Sequence, residues 1–220
     1  MKTASPVRKK ILKRIKSHEP GWVFAPVDFV GFGSRRAVDT ALSRLTEANI
    51  ICRVIPGLYY IPQQHPIVGL TAPNIDQVVK AYARKHALRV QTTGAEAANM
   101  LGLSDQVPAK VVFLIDGRTR RFRLGKLNVT LRRASTRTMS TAGRISGLII
   151  QALRYVGKTH VTKNTIKRLE RGLSATYKRQ LLKDAAHAPA WIANILRHLG
   201  GMQGYGNLAI RDGETPESFL

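Results

Sequence analysis

Across residues 5–18 the apolar positions Val7, Ile11, Leu12 and Ile15 recur at helical spacing, while Lys9, Lys10, Lys13, Arg14 and Lys16 fill the other faces. Pro20-Gly21 predicts the end of that helix. Trp22-Val23-Phe24 is a short apolar stretch, and Pro26 suits the first turn of a short helix reaching Val30. Gly31-Phe32-Gly33 predicts a tight turn. Ser34 then stands as an N-cap before a helix over 35–48, with Val38, Leu42 and Leu45 on its apolar stripe. Asn49 suits its close in the left-handed conformation. A β-branched run over 50–54, the turn Pro56-Gly57 and a return run over 58–61 predict a β-hairpin stopped by Pro62. Helix, short helix, turn, helix and hairpin is the order of a winged helix-turn-helix.

Residues 63–73 read as a polar connector. A helix is predicted over 75–86 with Val78, Val79 and Tyr82 inward, then a short strand over 88–91. Thr93 is placed to cap a helix reaching Leu101, with Gly102 as its stop. The strands 111–115, 118–124 and 127–132, joined through Asp116-Gly117 and Gly125-Lys126, predict a three-stranded meander. The last third is helical, with Thr141, Thr162 and Ser174 as predicted caps and Pro189 at the start of a final helix. The fold class expected is α+β: a winged helix-turn-helix domain over 1–63, a mixed α/β and then helical domain over 68–200, and a frayed tail over 201–220.

Charge changes the picture from fold to partner. The 220 residues carry 36 Lys and Arg against 13 Asp and Glu, a formal net charge of +23. The first 62 residues hold 11 basic and 4 acidic groups, residues 63–136 hold 12 and 4, and residues 137–200 hold 12 and 2. The excess runs through every folded part, which favours a polyanionic partner touched by more than one module. At 44% apolar residues the chain is too hydrophobic for a disordered basic tail. Its single cysteine, Cys52, excludes an internal disulfide framework and a Cys-cluster zinc module. No apolar run approaches the roughly 18 residues of a membrane span, so no membrane partner and a cytoplasmic location are expected.

The 35–48 helix carries the sharpest chemistry. A recognition helix exposes polar side chains from its first turns while its other face packs inward. Ser34 and the free N–H groups beside it suit a phosphate. Arg35 and Arg36 lie in the first turn, where an arginine can pair with guanine O6 and N7 for about 1–3 kcal/mol of discrimination. Thr40, Ser43 and Arg44 continue that face. In the hairpin, Arg53 and one of Tyr59 and Tyr60 would flank the duplex; strand alternation sends only one tyrosine outward and leaves open which. Lys9, Lys10, Lys13 and Lys16 suit phosphate contacts, which position a protein without reading sequence.

These residues also carry a resemblance. Gly21-Trp22-Val23-Phe24, Asp28-Phe29, Gly33-Ser34-Arg35, Ala37-Val38, Ala41-Leu42-Ser43-Arg44-Leu45, Ile51, Arg53, Gly57-Leu58-Tyr59-Tyr60 and Pro62 resemble the AbiEi-like antitoxins of type IV toxin–antitoxin systems, within them an uncharacterised branch. The likeness continues through His65-Pro66, Thr93-Gly94-Ala95, Ala98-Asn99, Leu101-Gly102-Leu103-Ser104, Gln106-Val107-Pro108-Ala109, Asp116-Gly117, Gly143-Arg144-Ile145-Ser146-Gly147-Leu148 and Gln151-Ala152-Leu153-Arg154. It covers roughly residues 7–160, and nothing matches beyond about residue 175. The resemblance implies a bacterial autorepressor whose winged helix binds inverted repeats in duplex DNA ahead of its own operon. It also implies a C-terminal domain that counters a nucleotidyltransferase-like toxin without a tight complex. The DNA-contact role carries over to Arg35, Arg36, Ser43 and Arg44, which lie on the matching helix; the antitoxin role carries over to no particular residue.

Other classes predict different features. A two-metal nuclease needs converging carboxylates, and between residues 63 and 200 only Asp76, Glu96, Asp105, Asp116, Glu170 and Asp184 occur. Asp116 follows a predicted buried strand, where a metal ligand could stand, but Gly117 favours a turn. The six histidines show no ligand spacing, and no phosphate-loop pattern occurs. No catalytic residue, metal or cofactor is expected. Aromatic residues are 6% of the chain, few for a reader of single-stranded RNA. A stand-alone regulator without a toxin is the nearest alternative.

Overall fold

A computed structural model describes residues 6–19, 21–65, 69–71, 73–106 and 110–202. The apolar stripe of the first predicted helix becomes α1 (Pro6–Lys16), with Ile11 and Ile15 buried. A short strand β1 (Val23–Phe24) follows, then a 3-10 helix at Pro26–Phe29 and α2 (Arg35–Glu47). Asn49 takes φ 55, the left-handed conformation expected after α2. The hairpin is β2 (Cys52–Ile55) and β3 (Leu58–Tyr60). The expected connector contains a further antiparallel pair, β4 (Gln63–His65) and β5 (Gly69–Thr71). Next come α3 (Ile75–His86), β6 (Val90–Thr92), α4 (Gly94–Met100), β7 (Val111–Ile115), β8 (Arg120–Leu124) and β9 (Leu127–Arg133). The helical third is α5 (Thr136–Met139), α6 (Ile145–Val156), α7 (Lys163–Glu170), α8 (Ala175–Asp184) and α9 (Ala190–Leu199). Thus a helix-turn-helix motif with a short antiparallel sheet precedes a larger mixed α/β region and C-terminal helices.

The chain divides into two compact units, one running to Leu88 and including Phe122–Asn128, the other made of Arg89–Arg121 and the chain from Val129 onward. This division differs from the 63/68 boundary expected from the sequence. The reason is α3, which packs on the first unit instead of opening the second. Most of the expected tail, residues 203–220, lies outside the described residues.

In the first unit, β3 is the central strand of the order β1-β3-β2, paired antiparallel on both sides. Its alternation separates two cores. Tyr59 joins Ile11, Phe24, Phe29, Val38, Leu42 and Leu45, the core beneath α1 and α2. Leu58 joins Val23, Ala25, Val78 and Ala81, the core beneath α3, with Tyr60, Tyr82, Phe122 and Leu124 packed around it. Fully burying each large apolar side chain contributes about 1.5–3 kcal/mol. Arg84 in the last turn of α3 ties the two sides: its Nε donates to Asp28 Oδ1 at 3.1 Å and its Nη2 to Val23 O at 2.8 Å. Asp28 also accepts from Ala25 N at 2.8 Å, closing the start of the 3-10 helix.

The four-stranded sheet corrects the expected meander. The three strands exist, but the order is β6-β7-β9-β8, and β7 pairs with β9 in parallel, Val111 opposite Val129 and Ile115 opposite Arg133. Asp116 does not close a hairpin. Its carboxylate turns back to Arg89, accepting from the backbone N and from Nε at 2.8 Å each. The wider link to β8 admits β9, whose end is fastened by Arg133 N donating to Thr119 Oγ1 and Ala134 N donating to Ile115 O.

Around α6 the unit is helical, with Ile149, Ile150, Leu153, Leu181, Ile192 and Leu196 in one core. Thr162 and Ser174 cap α7 and α8 as expected, each accepting from a backbone N–H in the first turn. Two expected caps differ. Thr93 stands before α4 without a side-chain cap bond, and Arg144, not Thr141, precedes α6. The turn holding Thr141 folds against α6 so closely that a Cβ on Gly147 would stand 2.2 Å from Thr141 O. Asp184, 2% exposed, accepts from Arg144 at 2.7 Å and from Ser146 Oγ, joining the end of α8 to the start of α6.

Candidate nucleic-acid interface

Local chemistry sets the orientation of α2. Ser34 has extended backbone and its hydroxyl accepts from Ala37 N at 3.2 Å, which satisfies one first-turn donor. Val38, Ala41, Leu42 and Leu45 face the core. Arg35, Arg36, Asp39, Thr40, Ser43, Arg44 and Glu47 are left outward.

The outward face is not uniform. Arg35 donates from Nε to Asp39 Oδ2 at 2.9 Å, one turn on, and Ser43 donates to Glu47 Oε1 at 2.9 Å. The side chains of Arg36, Thr40 and Arg44 have no hydrogen-bond partner among the described residues, and they fall at helical spacing on one stripe. An exposed pair such as Arg35–Asp39 contributes about 0.3–0.5 kcal/mol, so a phosphate or base edge can compete for Arg35 at small cost.

The hairpin presents one residue where the sequence suggested two. Arg53, opposite Tyr59 in register, is exposed, and its Nη2 donates to the Tyr59 hydroxyl at 3.2 Å with the guanidinium 5.5 Å from the ring centroid. Tyr59 is only 7% exposed and stacks near Phe24. It is a core residue that steers Arg53, not a surface contact. Tyr60 points to the opposite core, where burial, with the Cys52 thiol beside it, raises its phenol above the ordinary value. Neither tyrosine is the outward residue that alternation left open.

Along α1, Lys9, Lys10, Lys13 and Lys16 are all exposed. Gly33 lets α1 lie close to the turn: a Cβ there would meet Val7 Cγ2 at 2.9 Å. Lys85 on α3 is a neighbour of the hairpin that the sequence pattern does not single out. Its Nζ donates to Pro56 O at 2.9 Å, holding the tip of the hairpin, where Gly57 takes φ 76. Burial lowers the Lys85 pKa from its ordinary value, and the nearby Arg35 charge lowers it further. The signal in the chain is Lys85 in a basic last turn, Arg84-Lys85-His86, but nothing there says which carbonyl it would find.

A capped helix with a free basic stripe, a preceding helix edged with lysines and a short antiparallel sheet beside them define a helix-turn-helix protein with a wing, an architecture compatible with nucleic-acid binding. The chain belongs to a family of unknown function (DUF6088), whose model matches residues 10–181. Among solved structures, the RV2827C protein from Mycobacterium tuberculosis is similar at 16% identity and TM-score 0.42, over 95% of this chain and 83% of that one. No curated protein matches. No helix of the described residues is long and apolar enough to cross a membrane.

Proposed function

We propose that this protein is a sequence-reading duplex-DNA-binding repressor of its own operon, and the antitoxin of a type IV toxin–antitoxin pair. The observation that carries the first part is the stripe Arg36, Thr40 and Arg44, exposed on a capped helix and free of internal partners. Arg35 spends a donor on Asp39, whereas the Arg36 and Arg44 guanidinium groups keep all of theirs for a phosphate or a base edge. Arg53, held over Tyr59, supplies a backbone contact from the wing. The second part rests on the resemblance to AbiEi-like antitoxins, which runs on through Gly143–Leu148 and Gln151–Arg154, beyond the DNA-binding module.

The test compares the duplex ahead of the protein's own coding sequence with a scrambled duplex of equal length at about 150 mM salt, where non-specific binding is weak. A preference of about a thousandfold is expected. Equal, weak binding to both would defeat the repressor reading. The antitoxin part is tested by co-expression with a neighbouring nucleotidyltransferase-like gene. Growth arrest relieved by this protein is the expected result, and unrelieved arrest would reject it.

A further inference from the structure

A second basic surface lies outside the helix-turn-helix. Residues 118–133 hold seven cationic side chains and no acid: Arg118, Arg120, Arg121, Arg123, Lys126, Arg132 and Arg133. Arg120, Arg121 and Arg123 lie on β8 and Arg132 and Arg133 on β9, with Lys126 in the turn between the strands and Arg118 in the loop before β8. All seven are exposed, and none forms an ion pair with an acid of the described residues. Alternation explains the display on β8. Phe122 and Leu124 turn inward to a core, which leaves Arg121 and Arg123 on the opposite face, two residues and so about 7 Å apart. On β9, Val129 and Leu131 are buried and Arg132 alternates with them. Arg123 Nε donates to Gly125 O at 3.0 Å, which stiffens the turn while the rest of its guanidinium stays available.

β8 is also the edge of its sheet, and charge on an edge strand guards against pairing with another chain. Seven cations without one acid create a local positive field that attracts a polyanion.

We propose that the β8–β9 hairpin is a phosphate-backbone-binding element, a second contact to duplex DNA that adds affinity and salt dependence without reading sequence. The inference rests on the reading of the protein as a duplex-DNA binder. Guanidinium groups suit phosphate by bidentate hydrogen bonding. The role assigned is to phosphate, which positions a protein without reading sequence.

The experiment measures affinity for the promoter duplex and for its scrambled counterpart across a salt series. It uses the full chain and the triple variant Arg120→Ser, Arg121→Ser and Arg132→Ser, which spares the Arg123 turn bond. Each phosphate that the variant leaves unneutralised should flatten the slope of log affinity against log salt by about 0.9, so three such phosphates flatten it by about 2.7. Both duplexes should weaken by the same factor, and the three-lysine version of the same variant should retain the slope. If the triple variant fails to unfold cooperatively, the loop pair Arg118→Ser and Lys126→Ser carries the same test with an expected change of about 1.8. A folded variant with an unchanged slope overturns the hairpin proposal, as does weakening confined to the promoter duplex. Wild-type protein that binds neither duplex overturns both readings. Wild-type protein that binds both equally, with a slope that the hairpin variant flattens, rejects the repressor and supports the hairpin.

Discussion

Arg36 and Arg35 are neighbours in sequence with different tasks. Arg35 is held by Asp39, whereas Arg36 and Arg44 lie free on the outward stripe. Replacing Arg36 or Arg44 by Ala should cost about 1–3 kcal/mol on the preferred duplex and blur its preference, while Lys13→Ala should weaken all duplexes alike. Competition binding with promoter and scrambled DNA separates the two patterns, and identical behaviour of all three variants would remove the recognition role from α2. Tyr59 makes a prediction of another kind. Tyr59→Ala should destabilise the protein by about 3–5 kcal/mol in urea unfolding, as large-to-small changes in an aromatic core do. Tyr59→Phe should cost only about 1 kcal/mol, the bond from Arg53, and should loosen the wing's hold on DNA. Asp116 gives a pH signature. Burial pushes its carboxyl up, but the Arg89 guanidinium and the backbone donors outweigh that and hold it below the ordinary value. A carboxyl lowered on folding stabilises fully above its unfolded pKa and loses that contribution as the pH falls through the folded value. Asp116→Asn should therefore reduce stability at neutral pH and flatten the acid limb of the stability curve. An acid limb identical to wild type would show that the Arg89 pair has no energetic weight.

At the scale of elements, the features legible in the chain were those decided by neighbours in sequence. Ser34, Thr162 and Ser174 cap helices because a hydroxyl needs only the N–H three residues ahead. The stripe Val38, Leu42 and Leu45 fixes the buried face of α2 without reference to anything distant. What could not be read was pairing at a distance. The apolar run assigns 111–115, and the residue pattern 127–132, to strands, but neither says which strand lies beside which, so the insertion of β9 between β7 and β8 was invisible. The two tyrosines illustrate the same limit: alternation put them on opposite faces, and only α3 on the far side of the sheet reveals that both faces are covered. Likewise Lys85 is an ordinary helix-end lysine until the tip of the hairpin is seen beneath it. Gly147 belongs to this class as well. In a helix interior Ala is normally about 1 kcal/mol better than Gly. Here Gly147→Ala should instead destabilise, by about 1–3 kcal/mol, because its methyl would meet the Thr141 carbonyl. Thermal unfolding of that single variant decides it, and a stabilised protein would refute the tight approach of the 141–144 turn.

Taken as one molecule, the protein carries its excess charge on both units, the α1 and α2 surfaces in one and residues such as Arg118, Arg120 and Arg121 in the other. A protein neutralising six or more phosphates loses about a thousandfold or more in affinity between 50 and 200 mM salt. That is the fall expected here, read by titrating fluorescent duplex at several salt levels; a nearly flat response would mean the charge of +23 is not used on DNA. The inserted strand has a consequence for synthesis. During translation β7 emerges with β6 already available to pair along one edge, while its other edge waits for a strand that begins at Leu127 and ends at Arg133, 18 residues beyond Ile115. At about 5–20 residues per second the ribosome leaves that edge open for roughly 1–4 s. β8 is made in that interval and must remain unattached to its neighbour in sequence until β9 slides between them. The nascent chain therefore passes through a short period in which the wrong hairpin is the nearer one.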